Sequence, residues 1–218
     1  MPTRIPDVAA PISAAVLAGG MSRRMGTDKA LLPLRPGDPP LAQIAIDRVS
    51  AVAADVFVVA SDRPAYERFG VRVVPDRYPD AGTLGGIATA LAEAAHPRCL
   101  VVACDMPFLS VALLDWMVAQ PTDNDVLVPR LPGESRQGGG FVYQTLHAIY
   151  GQGCLLAIET RLVAEQRQVI GFFADVRVRV VDESDVRALD PMLRSFFNAN
   201  TPEAADEARR LLDAGEWT

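Results

Sequence analysis

Three cations fall within a short glycine-containing loop near the start of the chain. The stretch 15–33 reads AVLAGGMSRRMGTDKALLP, an apolar run that ends in two glycines and is followed by Arg23, Arg24 and Lys29. Such a run predicts a buried strand that delivers a flexible loop to the end of a sheet. Free backbone N–H groups together with guanidinium and ammonium donors suit a polyphosphate. We therefore expect this loop to hold a nucleoside triphosphate.

The composition of the whole chain contrasts with this cationic loop. The chain has 218 residues, half of them hydrophobic, and a formal net charge of −6. This length and composition predict one domain with a real core. An acidic chain with no basic run argues against a nucleic-acid surface. Positive charge for an anionic ligand must therefore be concentrated locally.

The cysteines and the N-terminus bear on the compartment. Cys99, Cys104 and Cys154 have no metal-ligand spacing, which predicts buried, reduced thiols and a reducing compartment. Residues 1–12 contain no apolar core segment, so we expect a loose extension rather than a signal peptide. No apolar stretch of membrane-spanning length follows. These features predict a cytoplasmic protein without a membrane anchor.

Apolar runs alternate with helical patterns through the first part of the chain. The predicted strands are 13–18, 55–60, 71–74, 99–103 and 125–128, and the predicted helices are 41–54, 64–69, 85–95 and 110–118. The strands are continuously apolar, as in a sheet covered on both faces. This βαβα rhythm predicts a three-layer α/β/α sandwich with a mostly parallel central sheet.

The second part of the chain is less regular. A polar loop over 132–140 precedes a possible strand at 141–144, a helix or helix pair over 146–164 broken near 151–153, and a half-exposed strand at 176–181. Thr201 and Pro202 are typical of a helix start, and that helix runs to about residue 213. No linker divides the chain. We expect a single domain over 13–218, with a nucleotide half at about 13–130 and an acceptor half at about 131–218.

Carboxylates follow two of the predicted strands. In a parallel sheet, ligands bind beyond the carboxyl ends of the strands. Asp105 comes directly after a buried apolar run, where a divalent metal would explain it, because Mg²⁺ prefers hard oxygen ligands. It could equally start a turn before Pro107, and Asp76 a turn before Pro79.

Other polar residues carry weaker signals. The glycines of 82–86 would let backbone approach a flat ligand, although glycine alone is a weak indication. His147 is more typical of a packed or solvated helix residue than of an acid–base group. Asn198 and Asn200 precede a helix, where asparagine is common for capping alone.

Five segments together resemble the molybdenum cofactor guanylyltransferases, a family of nucleotidyltransferases with a Rossmann-like fold. They are LAGGMSRRMGTDK at 17–29, GTLGG at 82–86, CDMP at 104–107, LHAIY at 146–150 and FNANTPE at 197–203. The resemblance covers about residues 13–212. The first segment is specific to nucleotidyltransferases, and the last favours this family among them.

The resemblance implies roles for individual residues. Backbone at Leu17, Ala18, Gly19 and Gly20 would contact the nucleotide, with Asp76 at its guanosine end and Gly85 in the glycine segment. Lys29 and Arg24 would stabilise the phosphates, and Asp105 would bind Mg²⁺. Asn198 and Asn200 would lie towards the pterin. LHAIY at 146–150 would open a helix.

The implied reaction transfers GMP from GTP to the terminal phosphate of molybdenum-molybdopterin and releases pyrophosphate. The partners implied are those two substrates and, as a possibility, proteins that deliver molybdopterin or serve as chaperones for molybdoenzymes. The glycine segment reads GTLGG where a proline and an alanine are usual. Ser61 and Asp62 stand where an asparagine often contacts nucleotide, so that position is not assigned.

Three alternatives remain open. A cytidylyltransferase acting on the same pterin would resemble this chain but tends to have Leu-Ala-Ala-Gly in its first loop, whereas this chain has Gly19 and Gly20. A sugar-phosphate nucleotidyltransferase usually differs in the acceptor region. A non-catalytic nucleotide-binding chaperone would not need both Lys29 and Asp105.

Overall fold

Residues 10–18, 29–61, 63–133 and 140–215 are described in the computed structural model of the chain. The strands are β1 (Ser13–Leu17), β2 (Asp55–Val59), β3 (Arg72–Val74), β4 (Arg98–Ala103), β5 (Val126–Pro132), β6 (Phe141–Tyr143), β7 (His147–Gly151) and β8 (Val178–Asp182). The helices are α1 (Leu41–Ser50), α2 (Arg63–Glu67), α3 (Gly82–Glu93), α4 (Val111–Val118), α5 (Cys154–Val163), α6 (Glu183–Arg187) and α7 (Pro202–Asp213). Short 3₁₀ turns cover Lys29–Leu31, Val169–Asp175 and Arg194–Phe196.

The eight strands found in the described residues belong to one sheet. Its order is β3-β2-β1-β4-β7-β5-β6, and β8 pairs with β5. The first four strands are parallel, β7 is antiparallel to both β4 and β5, and β8 is parallel to β5. The short β6 is antiparallel to the end of β5. Both the predicted nucleotide half and the predicted acceptor half therefore contribute strands to the same sheet.

Helices cover the two faces of this sheet. Alternate residues of β1 point to opposite sides, since Ala14 and Val16 belong to one buried cluster and Ala15 and Leu17 to another. The first cluster includes apolar residues of α1, α4 and α6, and the second those of α3 and α5. The predicted three-layer α/β/α sandwich with a mostly parallel sheet is confirmed.

The prediction of a helix or helix pair over 146–164 is wrong for the first half of that segment. Residues 147–151 form β7, between β4 and β5, and the helix α5 begins only at Cys154. The LHAIY segment therefore does not open a helix. Its four residues His147 to Tyr150 are all buried, so no polar positions reveal the period of the backbone. Periodicity cannot distinguish a buried strand from a buried helix under these conditions.

Smaller differences concern boundaries. Ile12, predicted to lie in a loose extension, is 2 % exposed and its carbonyl accepts the amide of Ala54; residues 1–9 lie outside the described part of the chain. The helix α3 begins three residues earlier than predicted, at Gly82. The capping predictions are confirmed, since the side chains of Ser110 and Thr201 accept backbone amides in the first turns of α4 and α7.

The cysteines are free thiols. Cys99 and Cys154 are buried, as predicted, and Cys104 is half-buried. Burial raises the pKa of the Cys154 thiol to about 12, so it is uncharged at neutral pH. Among the described residues, no helix has the length and apolar character needed to cross a bilayer.

Candidate functional site

The carboxyl ends of the four parallel strands form an even rim, which we call the nucleotide rim (residues 17–18, 60–61, 75–76 and 104–105). Backbone hydrogen bonds continue one residue past the strands: Ala18 N to Val59 O at 2.9 Å, Ala60 N to Val74 O at 3.0 Å and Cys104 N to Leu17 O at 3.1 Å. The strands therefore end at the same level, and residues far apart in sequence lie side by side at this edge of the sheet.

Leu17 and Ala18 lie at the middle of this rim. They are 9 % and 6 % exposed, and the Leu17 carbonyl and the Ala18 amide are already paired within the sheet. A contact between these residues and a nucleotide would have to use their other backbone groups. The predicted phosphate loop follows directly. Gly19, Gly20 and Arg24 lie outside the described residues, and Lys29 begins the first 3₁₀ turn, its side chain also undescribed.

Asp76 follows β3 at one end of the rim and is half-buried. Its Oδ1 accepts two hydrogen bonds, from the Tyr78 amide and from the Thr89 hydroxyl, both at 2.9 Å. Thr89 lies on α3, fully buried, and its hydroxyl also accepts the Arg77 amide at 3.0 Å. The carboxylate is thus held firmly through one oxygen. The Asp76 Oδ2 atom has no hydrogen-bond partner within the described chain and can accept from a ligand.

The glycine segment lies in the first turn of α3. A Cβ added to Gly85 would lie 2.7 Å from the Ala81 Cβ and 2.8 Å from the Tyr78 carbonyl oxygen, and one added to Gly86 would lie 2.9 Å from the Leu17 Cδ1. These glycines are needed for close packing of the helix against its own preceding turn and against the end of β1. Their contact with a nucleotide stays a prediction.

Replacing Gly85 with alanine is expected to destabilise the protein by about 1–3 kcal/mol, because the new methyl group meets backbone that cannot move freely. The shifted 78–81 turn carries the amide that holds Asp76, so we also expect a higher KM for the nucleotide predicted to bind at the rim. Urea unfolding and steady-state kinetics would measure both effects. Gly153→Ala is the matched control, since nothing lies within 4 Å of a Cβ at that position. A Gly85→Ala protein as stable as the wild type would contradict the packing argument.

Asp105 follows β4 on the other side of β1 and is half-buried. Its backbone carbonyl accepts the amide of Ala199 at 2.9 Å. Ala199 is 1 % exposed and packs in a small cluster with Leu41 and Phe108. The carboxyl-terminal part of the chain is therefore fastened directly to the predicted metal ligand.

The predicted acceptor residues flank that fastening point. Asn198 and Asn200 are both exposed, one on each side of the buried Ala199. The Asn198 side-chain amide donates to the Phe196 carbonyl at 3.1 Å. The structure thus places Asn198 and Asn200 on either side of a residue whose backbone is bonded to Asp105. It places Asp76 three strand positions away on the same rim, a distance of roughly 14 Å along the sheet.

The donor set at the rim suits magnesium. No group of three or more His, Cys, Asp or Glu side chains in the described ranges could hold a metal ion. Zinc and calcium sites use several protein ligands, whereas Mg²⁺ is commonly bound through one or two carboxylates plus substrate phosphates and water. A single half-buried aspartate beside a predicted phosphate loop fits that pattern. The metal role of Asp105 stays a prediction.

His147 does not belong to the site chemistry. Its ring is fully buried and packs at a tilt against the Phe196 ring, with 4.7 Å between the centroids. Neither ring nitrogen has a hydrogen-bond partner within the described chain, and burial lowers the pKa of the imidazole to about 4. His147 is therefore neutral at physiological pH. It is packed as predicted, but in a strand rather than a helix.

Sequence reasoning missed the residues that hold the site in place. Thr89 looks like one more small residue in the apolar helix α3, yet it orients Asp76. Asp190 and Ser195 precede the predicted acceptor residues and are buried, 8 % and 0 % exposed. Thr89 and Ser195 carry no local signal, because their partners Asp76 and Ser110 lie far away in the chain. Asp190 does act locally, on amides four and five residues further along, but it matches no capping motif that sequence reasoning used.

Comparison with known proteins agrees with this geometry. The MobA-like NTP transferase domain family matches residues 14–181. A probable molybdenum cofactor guanylyltransferase from Pelotomaculum thermopropionicum is 42 % identical over 202 residues, which cover 91 % of this chain and 92 % of the relative. A molybdenum cofactor guanylyltransferase from Desulfosudis oleivorans is 31 % identical, over 94 % and 97 % of the two chains.

Solved structures show the same fold. Molybdopterin-guanine dinucleotide biosynthesis protein A from Archaeoglobus fulgidus superimposes with a TM-score of 0.75 at 24 % identity, covering 93 % of this chain and 99 % of the other. A 4-diphosphocytidyl-2C-methyl-D-erythritol synthase from Anaerococcus prevotii gives 0.66 at 18 % identity, over 94 % and 97 %. With the matched domain and the full-length relatives, these findings show that the chain belongs to the molybdenum cofactor guanylyltransferase family of nucleotidyltransferases.

Proposed function

We propose that this protein transfers GMP from GTP to the terminal phosphate of molybdenum-molybdopterin, releasing pyrophosphate and forming the guanine dinucleotide cofactor. The observation that carries the proposal is the hydrogen bond between Ala199 N and Asp105 O. It joins the segment expected to bind the acceptor to the strand end that carries the predicted magnesium ligand. Family membership supports the same assignment.

The guanosine end of the site is assigned to Asp76. Its Oδ1 is held by Thr89 and Tyr78, while its Oδ2 has no hydrogen-bond partner in the described ranges. A fixed carboxylate oxygen can accept a hydrogen bond from a hydroxyl or N–H group of the nucleoside. With these assignments, we propose that the ligands lie along the rim in the order of the strands: nucleoside at β3, phosphates at β1, and acceptor at β4.

The proposed reaction needs little proton transfer by the protein. The attacking group is a phosphate oxygen that is already anionic at neutral pH, so no strong general base is needed. This agrees with the burial of His147, which is neutral and enclosed in the core. The residues we assign instead position the reactants and stabilise charge. Lys29 and Arg24 neutralise the phosphates, and Asn198 and Asn200 orient the acceptor.

We propose Mg²⁺ as the cofactor, held by Asp105. When bound, it neutralises charge on the phosphates and makes pyrophosphate a better leaving group. Asp105 would hold the ion at the end of β4, and its place next to β1 and its bond to Ala199 suit a ligand that serves both phosphates and acceptor. We further propose that the enzyme works in the cytoplasm, where molybdopterin-delivering proteins and molybdoenzyme chaperones could reach it.

A comparison of GTP with CTP, each supplied alone, would test the proposal. The protein is incubated with Mg²⁺, one nucleotide and molybdenum-molybdopterin, and both pyrophosphate and the dinucleotide product are measured. We expect a preference for GTP of at least about tenfold in kcat/KM, equivalent to about 1.4 kcal/mol. Omission of the pterin is the control and should abolish product.

Each alternative predicts a different result in that experiment. A preference for CTP would identify a cytidylyltransferase. Transfer to a sugar phosphate but not to the pterin would place the protein among the sugar-phosphate nucleotidyltransferases. Binding of Mg²⁺ and GTP with no turnover would support a nucleotide-binding cofactor chaperone.

A further inference from the structure

Residues 190–200, which we call the acceptor strap, run along the carboxyl side of β4 just before α7. The strap contacts the segment 105–110 at three points. Ala199 N donates to Asp105 O at 2.9 Å, the Phe197 and Phe108 rings lie 5.6 Å apart, and Ser110 N donates to Ser195 Oγ at 2.9 Å. The strap and the strand end that carries the predicted metal ligand are therefore joined as one unit.

One buried carboxylate holds the start of the strap. Both oxygens of Asp190 accept backbone amides: Oδ1 that of Arg194 at 3.0 Å and Oδ2 that of Ser195 at 2.8 Å. The Asp190 amide in turn donates to Val186 O at 2.8 Å, which ties the carboxylate to the end of α6. Hydrogen bonds to a charged acceptor are about twice as strong as those between neutral groups. Asp190 thereby fixes the position of Ser195. Ser195, which accepts the Ser110 amide, in turn positions the rest of the strap.

Packing alone does not hold this end of the strap. A pocket of about 250 Å³ lies beside it, lined by Phe108, Ser110, Asp190 and Met192 among others. Met192 is 69 % exposed, and Leu193 has a positive φ of 55°. Leu193 and Phe196 pack against the main core, but the pocket and the exposed Met192 leave the other side of the turn open. The polar contacts of Asp190 therefore add to this packing in fixing the backbone.

We propose that Asp190 is a positioning residue for the acceptor: through Ser195 and Ala199 it holds Asn198 and Asn200 against the strand end of Asp105. The inference rests on the proposed function, since it concerns how the acceptor segment meets the metal ligand. Asp190 touches neither substrate. Its effect should be on the binding of molybdopterin and not on that of GTP, because the residues assigned to the nucleoside and the phosphates follow β3 and β1, away from the strap at β4.

The test replaces Asp190 with asparagine, which keeps the shape but removes one of the two acceptors. We expect the KM for molybdenum-molybdopterin to rise about tenfold, while the KM for GTP and kcat at saturating acceptor stay near the wild-type values. Hydrogen exchange gives a second readout that needs no activity. The Ala199 amide should exchange about tenfold faster, whereas the Ala18 amide, bonded to Val59 O across the rim, should not change.

Two further variants make the result decisive. Asp185→Asn is the matched control, an exposed aspartate on the neighbouring α6, and should leave both readouts unchanged. Ser195→Ala keeps Asp190 and removes only the acceptor for the Ser110 amide. It should give a smaller change in the same direction, and it decides the question if Asp190→Asn fails to fold.

The outcomes separate this inference from the proposed function. An unchanged KM for the acceptor together with unchanged exchange at Ala199 would overturn the role of Asp190, even in a fully active enzyme. A rise in both KM values, or a fall in kcat alone, would indicate a general structural effect and would overturn it as well. Failure of the wild type to use molybdopterin would refute the proposed function, and the exchange rate at Ala199 would still report on the strap.

Discussion

Replacing Asp105 with asparagine is expected to lower the rate of guanylyl transfer about a thousandfold and to leave the protein folded. The reason is chemical: an amide has almost the same shape as the carboxylate but lacks its charge, and Mg²⁺ depends on that charge. The fold should tolerate the change because the contact that links Asp105 to Ala199 uses the backbone carbonyl. Asp105→Ala should be equally inactive.

Three measurements together check this prediction. They are kcat with both substrates saturating, the Mg²⁺ dependence of the rate, and the thermal unfolding midpoint. Asp115→Asn, an exposed aspartate on α4, is the control and should be fully active. Full activity of Asp105→Asn at saturating Mg²⁺ would remove Asp105 as the metal ligand. An unfolded variant would point instead to a structural role.

Replacing Lys29 with methionine should lower kcat/KM for GTP about a hundredfold, because the uncharged side chain cannot stabilise the phosphates. The amino-acid composition also singles out Lys29. Of the 21 cationic side chains other than histidine, 20 are arginine and Lys29 is the only lysine. The ion pairs of the described residues all use arginine, for example Arg177 with Asp125 and Arg72 with Glu93. An ammonium group is a compact point charge with rotatable donors, whereas guanidinium is a planar fork.

The effect should depend on the kind of cation. Lys29→Arg keeps the charge but changes its geometry, so we expect it to recover only part of the rate. Arg179→Gln removes an exposed cation from β8 and serves as the control. Wild-type kinetics in Lys29→Met would exclude Lys29 from the phosphate site.

A chemical experiment tests the same residue without mutation. An acylating reagent specific for amines can modify only Lys29 and the amino terminus, because the chain has no other lysine. If Lys29 contacts the phosphates, saturating Mg²⁺ and GTP should slow its modification about tenfold, as followed by mass spectrometry, while the amino terminus reacts as before. Equal rates with and without nucleotide would contradict the assignment.

Prediction from sequence succeeded where a single local signal was sufficient. Continuous apolar runs marked β1, β2 and β4, since a strand covered on both faces has no polar positions. The capping hydroxyls of Ser110 and Thr201 were recognisable for the same reason, because each acts within three residues of its own position. The prediction failed at β7, which is buried in the same way, because a short apolar run fits a buried strand or a buried helix segment equally well. Only residues 152–153 separate β7 from α5, so strand and helix were interpreted as one broken helical segment.

The amino-acid sequence by itself determined the class of protein, the three-layer architecture, and which polar residues follow the strands. Those properties depend on local patterning, and the alignment of parallel strands brings Asp76 and Asp105 to one rim however far apart they lie in the chain. Only the tertiary structure decided how the rim is held: Thr89 under Asp76, Ala199 on Asp105, and the acceptor strap anchored by Asp190. The contacts of Thr89 with Asp76 and of Ala199 with Asp105 join separate elements of the fold. The strap reaches Asp105 through Ala199. Which residues Thr89 and Ala199 contact depends on the packing of the whole fold, and such contacts produce no periodic pattern in the sequence.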